Sequence, residues 1–225
     1  MSIVKILPEL RAAGGAQMAL DTGLLETADE VMARRYVWAP PALSLGKFQK
    51  YEPVPGVPFD VIRRPSGGRA VLHGEGFEWS FAVAFPPGAL GAGARAGLDV
   101  AKPYDLVSGA FAAALGALGV TLDGGREFAY QRSALCFASA LRHDLTARGE
   151  KLVAVAQARR GQRVLVHGSV LERRPPDELA QVAETLLGEP WQGEGLAGAG
   201  HVLAPEMIWK RVLVRLEAAL QRLAA

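Results

Sequence analysis

Residues 151–172 read KLVAVAQARRGQRVLVHGSVLE, which is two β-rich runs on either side of an Arg-Arg-Gly-Gln segment. Valine-rich runs separated by a short polar turn that contains glycine are typical of a β-hairpin. The stretch therefore predicts two long antiparallel strands. A hairpin here contributes one antiparallel strand pair to the predicted sheet.

Further strands are predicted on the N-terminal side of this hairpin. Their bounds are 36–49, where Pro40-Pro41 interrupts the strand, and 59–64, 69–74, 78–85 and 126–132. A PSGG turn separates 59–64 from 69–74, which is consistent with a second hairpin. Proline also ends the strand at 78–85.

Four segments have apolar residues at helical spacing, which predicts helices. They are 16–35, 103–119, 176–188 and 205–224, and the Ala/Gly-rich stretches 88–97 and 193–200 are predicted as loops. Strand pairs and helices are mixed and do not alternate strictly. We therefore predict an α/β (α+β) fold with a mixed, largely antiparallel sheet and packed helices. Since no Pro/Ser-rich linker divides the chain, one domain over 1–225 is the simplest organisation.

The composition excludes several classes of protein. Half of the 225 residues are hydrophobic, so the chain can bury a sizeable core and is not disordered. The net charge of +2 gives no electrostatic case for nucleic acid binding. One cysteine cannot form an internal disulfide, which fits a reducing compartment. The N-terminus lacks a signal-peptide pattern and no run is long enough to span a membrane, so we expect a cytoplasmic protein with no membrane partner.

The stretch RRPSGGRAVLHG, residues 63–74, is a candidate anion-binding loop. Gly67 and Gly68 remove side chains where the backbone could approach a ligand, and arginines and His73 lie nearby. Backbone amides and guanidinium groups suit a carboxylate or a phosphate. The alternative is a glycine turn with solvated arginines, and the spacing alone favours that alternative.

Lys151 and Cys136 are the other candidates. A lysine at the mouth of a sheet can hold a phosphate or a developing oxyanion, although solvated edge lysines are common. Cys136, the sole cysteine, lies in SALCFAS (133–139). Its immediate neighbours are typical of a buried apolar cysteine, and reactivity would require a nearby cation. None of the four histidines has metal-ligand spacing to another histidine or to Cys136, so no metal site is predicted.

Taken in order, four motifs resemble one known family. QMALDTGLLE (17–26) resembles its opening helix, and RRYVWAPPALSLGKFQ (34–49) resembles its Arg-x-Tyr-x-Trp segment. RRPSGGRAVLH (63–73) is similar to its Arg-Arg-x-x-Gly-Gly motif, and GEKLVAVAQARRGQRVLVHGSVL (149–171) to its lysine segment. The family is the lipoate-protein ligase A / octanoyltransferase group, which is related to biotin protein ligases. The family-like core covers residues 16–171, followed by a C-terminal helical segment at 176–225.

This resemblance implies a mixed sheet around an acyl-binding tunnel. It also implies an enzyme that attaches a lipoyl or octanoyl group to a lysine of a lipoyl domain in 2-oxoacid dehydrogenase or glycine-cleavage proteins. Lys151 matches the lysine that contacts the activated acyl group. The residues that match the substrate-binding loop are Arg64, Gly67, Gly68, Arg69 and His73.

Two branches of the family differ in how the acyl group is activated. ATP-dependent ligases form an acyl-adenylate and need ATP and magnesium. Cysteine-dependent octanoyltransferases need no cofactor, because they take the acyl group from acyl carrier protein and hold it on a cysteine. Cys136-Phe137, fifteen positions before Lys151, resembles the arrangement in the second branch. Arg69 favours the same branch, since ligases more often have a third glycine there.

Two positions depart from the family pattern. The usual His-Asp is His73-Gly74, and the usual Gly-Ser-Ala-Gln after the lysine begins at Ala154. An alanine beside the acyl group is expected to narrow the site. These departures leave open a third possibility, which is a non-catalytic protein that binds acyl or lipoyl groups. Biotin ligation is not expected, because a Gly-Arg-Gly-Arg adenylate loop is missing.

Overall fold

The structure is a computed structural model that describes residues 3–51, 55–91, 99–123 and 133–224. Its strands are β1 (Val4–Ile6), β2 (Leu10–Ala12), β3 (Val31–Trp38), β4 (Ala42–Leu45), β5 (Asp60–Arg63), β6 (Val71–His73), β7 (Glu78–Phe85), β8 (Leu145–Ala147), β9 (Glu150–Arg160) and β10 (Arg163–Leu171). Its helices are α1 (Gly14–Thr27), α2 (Ala101–Gly116), α3 (Asp177–Leu187), α4 (Gly195–Gly198) and α5 (Pro205–Ala224), with a 3-10 turn at Cys136–Ala138.

The main sheet has the strand order β1-β3-β7-β10-β9-β8, and β2 also pairs with β3. β9 and β10 form the antiparallel hairpin that the sequence predicts, and β10 continues antiparallel to β7. β7 is antiparallel to β3, whereas β1 and β2 run parallel to β3. The sheet is therefore mixed and largely antiparallel, as the sequence predicts.

A small second sheet has the order β5-β4-β6. β4 lies between the other two strands, parallel to β5 and antiparallel to β6. The expected hairpin of 59–64 with 69–74 is therefore wrong, although both segments contain strands. The PSGG segment joins β5 and β6, which do not pair with each other. Because it does not form a tight hairpin turn, it can extend over the main sheet.

The two faces of the main sheet pack against different layers. Because side chains alternate along a strand, β7 presents Trp79, Phe81, Val83 and Phe85 to one face. These residues belong to the same buried cluster as residues of α2 and α5, including Phe111 and Trp209. The other face carries α1 and the small sheet, and it is the face on which the candidate site lies.

The predicted helix at 16–35 is wrong in its second half. α1 ends at Thr27, and Val31 begins β3. Val31 and Met32 have helical spacing to the preceding apolar residues, but Val31 pairs with Val4 of β1 and Met32 with Ala84 of β7. Pairing between distant segments overrides the local period, which no single stretch of sequence reveals.

Most of the remaining predicted elements are confirmed with shifts of up to three residues. The strand at 78–85 and the helix at 205–224 agree with β7 and α5, and 103–119 and 176–188 agree with α2 and α3. The stretch 193–200 contains the short helix α4, so the prediction of a loop there is wrong in part. The predicted strand at 126–132 lies outside the described residues. None of the described helices combines the length and the apolar character that crossing a membrane requires.

Candidate active site

Two rows of mostly small side chains form the floor of the candidate site. They cross β3, β7, β10 and β9 in register, on the face away from α2 and α5. The first row is Tyr36, Ser80, Ser169 and Ala154, and the second is Arg34, Ala82, His167 and Ala156. Because alanine and serine fill little space, the sheet leaves a hollow above these rows.

A cavity of about 310 Å³ lies above this floor. Its lining includes Met18 of α1, His73 of β6, Cys136, and residues of the PSGGR loop and the 139–144 segment. One end is the mouth, where Leu141 is 62% exposed and Gly68 is also exposed. The lining also contains predicted site residues: Arg64, Gly68, Arg69, His73, Cys136 and Lys151.

Backbone hydrogen bonds join the 63–74 loop to the Cys136 segment. The amide of Ala70 donates to the carbonyl of Ala134 at 2.9 Å, and the amide of Cys136 donates to the carbonyl of Ala70 at 2.8 Å. Gly68 has a φ of +100°, a conformation that favours glycine. A Cβ on Gly46 would lie 1.9 Å from the Gly68 carbonyl oxygen, so the two backbones meet closely. The 63–74 loop and the Cys136 segment, which are distant in sequence, therefore form one wall of the cavity.

Lys151 is buried, with its side chain 5% exposed. Its Nζ donates to the carbonyls of Cys136 at 2.9 Å and Ser139 at 3.0 Å, and it lies 3.4 Å from the Cys136 Sγ. Burial alone lowers the pKa of Lys151, but the neighbouring Cys136 sulfur and Asp144 carboxylate more than offset this and raise it above its usual value. Lys151 is therefore a buried cation, and the alternative of a solvated edge lysine is wrong.

Asp144 is a site residue that the sequence reasoning missed. Its Oδ2 lies 2.8 Å from the Lys151 Nζ, and its side chain is also 5% exposed. The amides of Leu141 and Val155 donate to its two carboxylate oxygens at 2.8 Å and 3.0 Å. The only signal in the sequence was its position immediately before β8, the strand that pairs with the strand of Lys151.

Arg64 is a second buried cation on the cavity wall. Its Nη1 donates to the Ser44 carbonyl at 2.8 Å and to the Ser44 Oγ at 2.6 Å, and its Nη2 donates to the Arg69 carbonyl at 2.7 Å. Burial lowers the pKa of Arg64, and the Cys136 sulfur acts in the opposite direction. Within the described part of the chain, no carboxylate pairs with this guanidinium. A buried charge held only by neutral acceptors favours an anionic neighbour.

His73 links Arg64 to a buried carboxylate. The His73 Nε2 lies 2.6 Å from the Ser44 Oγ, and its Nδ1 lies 3.1 Å from Glu78 Oε1. Its ring stacks on Trp38 with centroids 3.9 Å apart. Burial lowers the pKa of His73, with a further lowering by Arg64, and Glu78 only partly offsets these effects. The neutral imidazole therefore positions Ser44, and through it the guanidinium.

The remaining predicted site residues occupy different positions. Arg69 lines the cavity and donates to the Ser139 hydroxyl. Gly67 is not among the cavity residues, and a Cβ there would meet nothing within 4 Å. A Cβ on Gly74 would lie 2.5 Å from the Phe77 ring, so Phe77 fills the space beside this departure from the family pattern.

A buried ion cluster supports the floor. Asp21 of α1 lies 2.7 Å from Arg34 and 2.8 Å from the His167 Nδ1, and it accepts from the Tyr36 hydroxyl at 3.0 Å. Burial raises the pKa of Asp21, but His167 and Arg34 outweigh this, so that it lies below its usual value. His167 is thus a buried, hydrogen-bonded imidazole, and its Nε2 lies 2.6 Å from the Ser66 hydroxyl.

Comparison with known proteins assigns the chain to a family. Residues 14–187 match the model of the lipoyl protein ligase A/B catalytic domain. The chain belongs to this family. A relative named Octanoyltransferase LipM, from Carboxydothermus hydrogenoformans, is 33% identical over 181 residues, which cover 75% of this chain and 65% of the relative. The chain thus matches just under two thirds of the length of that relative.

Solved structures share the fold at low sequence identity. A bi-partite lipoate protein ligase from Thermoplasma acidophilum, solved in a study that includes its E2 lipoyl domain, matches with a TM-score of 0.65 and 18% identity. The match covers 99% of this chain and 84% of that chain. A lipoate-protein ligase A bound with ATP matches with a TM-score of 0.68 and 18% identity, over 99% and 86% of the two chains. These likenesses confirm the predicted fold class.

Proposed function

We propose that this protein is an acyltransferase that moves an octanoyl or lipoyl group from acyl carrier protein to a lysine of a lipoyl domain through a thioester on Cys136. The observation that carries the proposal is the 3.4 Å distance between the Lys151 Nζ and the Cys136 Sγ on the wall of one buried cavity. The likeness to proteins named Octanoyltransferase LipM supports the same reaction class.

In the first half-reaction, the Cys136 thiolate attacks the carbonyl carbon of the acyl thioester on the carrier. A carbon–sulfur bond forms to Cys136, the bond to the carrier sulfur breaks, and the carrier leaves as a thiol after taking up a proton. The Lys151 Nζ lies 3.4 Å from the Cys136 Sγ, so a positive charge is adjacent to the attacking sulfur. The same ammonium is available to stabilise the oxyanion, because it can exchange one of its carbonyl contacts for the developing charge.

Lys151 acts as a fixed positive charge and not as the base. Its pKa lies above its usual value because Cys136 and Asp144 more than offset the effect of burial, so it keeps its proton at neutral pH. Its bonds to the carbonyls of Cys136 and Ser139 hold the ammonium in place before substrate arrives. Because the charge is already in place, the only rearrangement needed when the reaction occurs is the exchange of one carbonyl contact for the oxyanion.

In the second half-reaction, the amine of the acceptor lysine attacks the Cys136 thioester. An amide bond forms as the carbon–sulfur bond to Cys136 breaks, and Cys136 leaves as a thiolate beside Lys151. The second proton that the nitrogen loses as the amide forms goes to solvent. The acceptor lysine is protonated at neutral pH and must lose a proton before it can attack. Asp144 lines the cavity next to Lys151 and is the carboxylate that accepts this proton.

The 63–73 loop binds the substrate in this proposal. Arg64 and the backbone at Gly68 line the cavity and position the acyl group and the arm of its carrier, whereas Gly67 lies outside the cavity lining. Arg69 and His73 complete the wall on that side. The acceptor is a lipoyl domain of a 2-oxoacid dehydrogenase or glycine-cleavage protein, and the transfer needs no cofactor.

Intact mass measurement tests the proposal. The protein is incubated with octanoyl-carrier protein, and an adduct of one octanoyl group is expected on the wild type but not on Cys136→Ser. Because the chain has one cysteine, this variant removes every thiol. Neutral hydroxylamine should release the adduct, since it cleaves thioesters and spares amides. An absent adduct, or one that survives Cys136→Ser, contradicts the proposal.

The alternative is an ATP-dependent ligase. It is favoured by the Arg64 guanidinium, which in the described residues has no carboxylate partner and could hold the phosphate of an acyl-adenylate with Lys151. ATP and magnesium would then be required, and the metal would be held through the nucleotide phosphates. Lipoate-dependent release of pyrophosphate from ATP, unchanged in Cys136→Ala, would establish this alternative over the transferase.

A third alternative is a non-catalytic protein that binds acyl or lipoyl groups. It is favoured by Ala154, which lines the cavity where the family pattern has a glycine. Modification of a lipoyl domain in either assay excludes it. Binding of octanoate without any modification would support it.

A further inference from the structure

We propose that Met18 sets the length of acyl chain that the cavity accepts, an inference that rests on the proposed acyl transfer. Met18 lies on α1 and is 7% exposed. Among the described residues of α1, it is the one that lines the cavity. No step of the proposed reaction uses this side chain.

We infer that the cavity has a reactive end at Cys136 and a closed end at Met18, because the two lining residues belong to different buried clusters. Cys136 packs against a buried cluster that includes Leu135, Phe137 and Ala154. Met18 belongs to a different cluster, together with Leu25 and Leu165, which is continuous packed core. A chain that is attached at Cys136 and extends away from the exposed mouth therefore runs toward Met18, where the core stops it.

The polar groups at the closed end already have partners in the protein. The Tyr36 hydroxyl donates to Asp21, and the Trp38 Nε1 donates to the Ser80 Oγ at 2.8 Å. Both nitrogens of His167 are likewise hydrogen-bonded. A chain that ends in a charged or hydroxyl group would lose hydrogen bonds to water there and find few replacements. The closed end therefore suits the methyl end of an unsubstituted aliphatic chain.

Met18 is the adjustable part of this end. Tyr36 and Trp38 are each 1% exposed and are fixed by their hydrogen bonds. Methionine is unbranched and has three rotatable side-chain bonds, so it adapts to the space that is available. Truncating Met18 should extend the lumen by about the volume of the atoms removed, because a packed core relaxes only in part.

The test is a competition between acyl chains with a matched control. Equimolar hexanoyl-, octanoyl-, decanoyl- and dodecanoyl-carrier protein are offered to the wild type, Met18→Ala and Leu25→Ala, and the adducts are quantified by intact mass. Leu25 is the control because it lies on the same helix and in the same cluster, is 6% exposed, and does not line the cavity. Both variants leave a core cavity, so any general loss of stability is shared.

In Met18→Ala, we expect the ratio of dodecanoyl to octanoyl adduct to rise by at least about tenfold, and in Leu25→Ala to stay near the wild-type value. Met18→Phe should shift the distribution toward hexanoyl. Equal distributions in all variants, or equal shifts in the alanine variants, overturn the role of Met18 while leaving the acyl transfer intact. If the wild type forms no adduct with any chain, the proposed function fails and this inference fails with it.

Discussion

The Lys151 Nζ lies between the Cys136 Sγ at 3.4 Å and the Asp144 Oδ2 at 2.8 Å. An ammonium has three N–H donors, and two of them are engaged by the carbonyls of Cys136 and Ser139. The Asp144 carboxylate accepts from the third N–H. The Cys136 sulfur therefore shares one of the three N–H donors with an oxygen acceptor. One buried cation thus lies beside both the proposed nucleophile and the proposed proton acceptor.

Replacing Lys151 by methionine should slow chemistry at Cys136. The Cys136 sulfur loses its adjacent positive charge, so alkylation by iodoacetamide at pH 7 should slow by roughly tenfold or more, and formation of the acyl-enzyme by about 100-fold. The alkylation rate is measured by quenching the reaction at intervals and determining the mass of the protein. The single variant also leaves Asp144 buried without a cation, which costs about 3–5 kcal/mol.

A double variant separates these two effects. Lys151→Met combined with Asp144→Asn removes both charges and should recover much of the stability that the single variant loses, with no recovery of acylation. Alkylation of Cys136 at the wild-type rate in the double variant would contradict the proposed role of Lys151.

Asp144→Asn should affect the second half-reaction more than the first. The amide keeps the shape of the side chain but cannot accept the proton of the acceptor lysine. Transfer from pre-formed octanoyl-enzyme to a lipoyl domain should therefore slow by about 100-fold at pH 7, and raising the pH should restore part of the rate as the acceptor amine deprotonates. Equal effects on both half-reactions, without recovery at high pH, would assign Asp144 a purely structural role.

Asp21→Asn should destabilise the fold strongly. Asp21 is fully buried between Arg34 and His167, and removing its charge leaves the guanidinium unpaired. Urea denaturation should show a loss of about 3–5 kcal/mol. Tyr36→Phe removes one hydrogen bond to the same carboxylate and should cost about 1 kcal/mol. Similar losses in the two variants would contradict a central role for the ion pair.

His73 should make the protein less stable in mild acid. Burial lowers its pKa in the folded state below the usual value near 6.5, so the unfolded chain binds the proton more readily. The contribution of His73 to the free energy of unfolding is therefore fully present above about pH 7.5, and it decreases as the pH falls through 6.5. Between pH 7.5 and 5.5 the loss is up to about 1.4 kcal/mol, and His73→Gln should abolish that part of the slope. An unchanged slope in the variant would contradict this.

The sequence predicts the sheet better than it predicts the surroundings of the site. The valine-rich runs on either side of the Arg-Arg-Gly-Gln segment at 159–162 predict the β9–β10 hairpin directly, because the two strands are adjacent in the chain. The strand at Val31 was predicted as helix, because its pairing partners lie in β1 and β7. A local sequence pattern predicts the elements whose contacts are local. It fails where pairing with distant strands determines the secondary structure.

The same distinction applies to Lys151 and Cys136. Neighbouring residues suggested a solvated lysine and an apolar cysteine. Lys151 is buried because Asp144 and two backbone carbonyls compensate its charge, and those partners are set by the path of residues 136–144. Only the resemblance to a family motif placed Cys136 and Lys151 in one candidate site, and it did not indicate Asp144.

Single-turnover transfer from the isolated acyl-enzyme tests the central claim most directly. Octanoyl-Cys136 enzyme is prepared, freed of carrier protein, and mixed with an unmodified lipoyl domain in the absence of ATP. We predict that the octanoyl group leaves the enzyme and appears as an amide on one lysine of the domain at the same rate. An acyl-enzyme that persists, or that hydrolyses without modifying the domain, would contradict the claim that Cys136 carries the acyl group in transit.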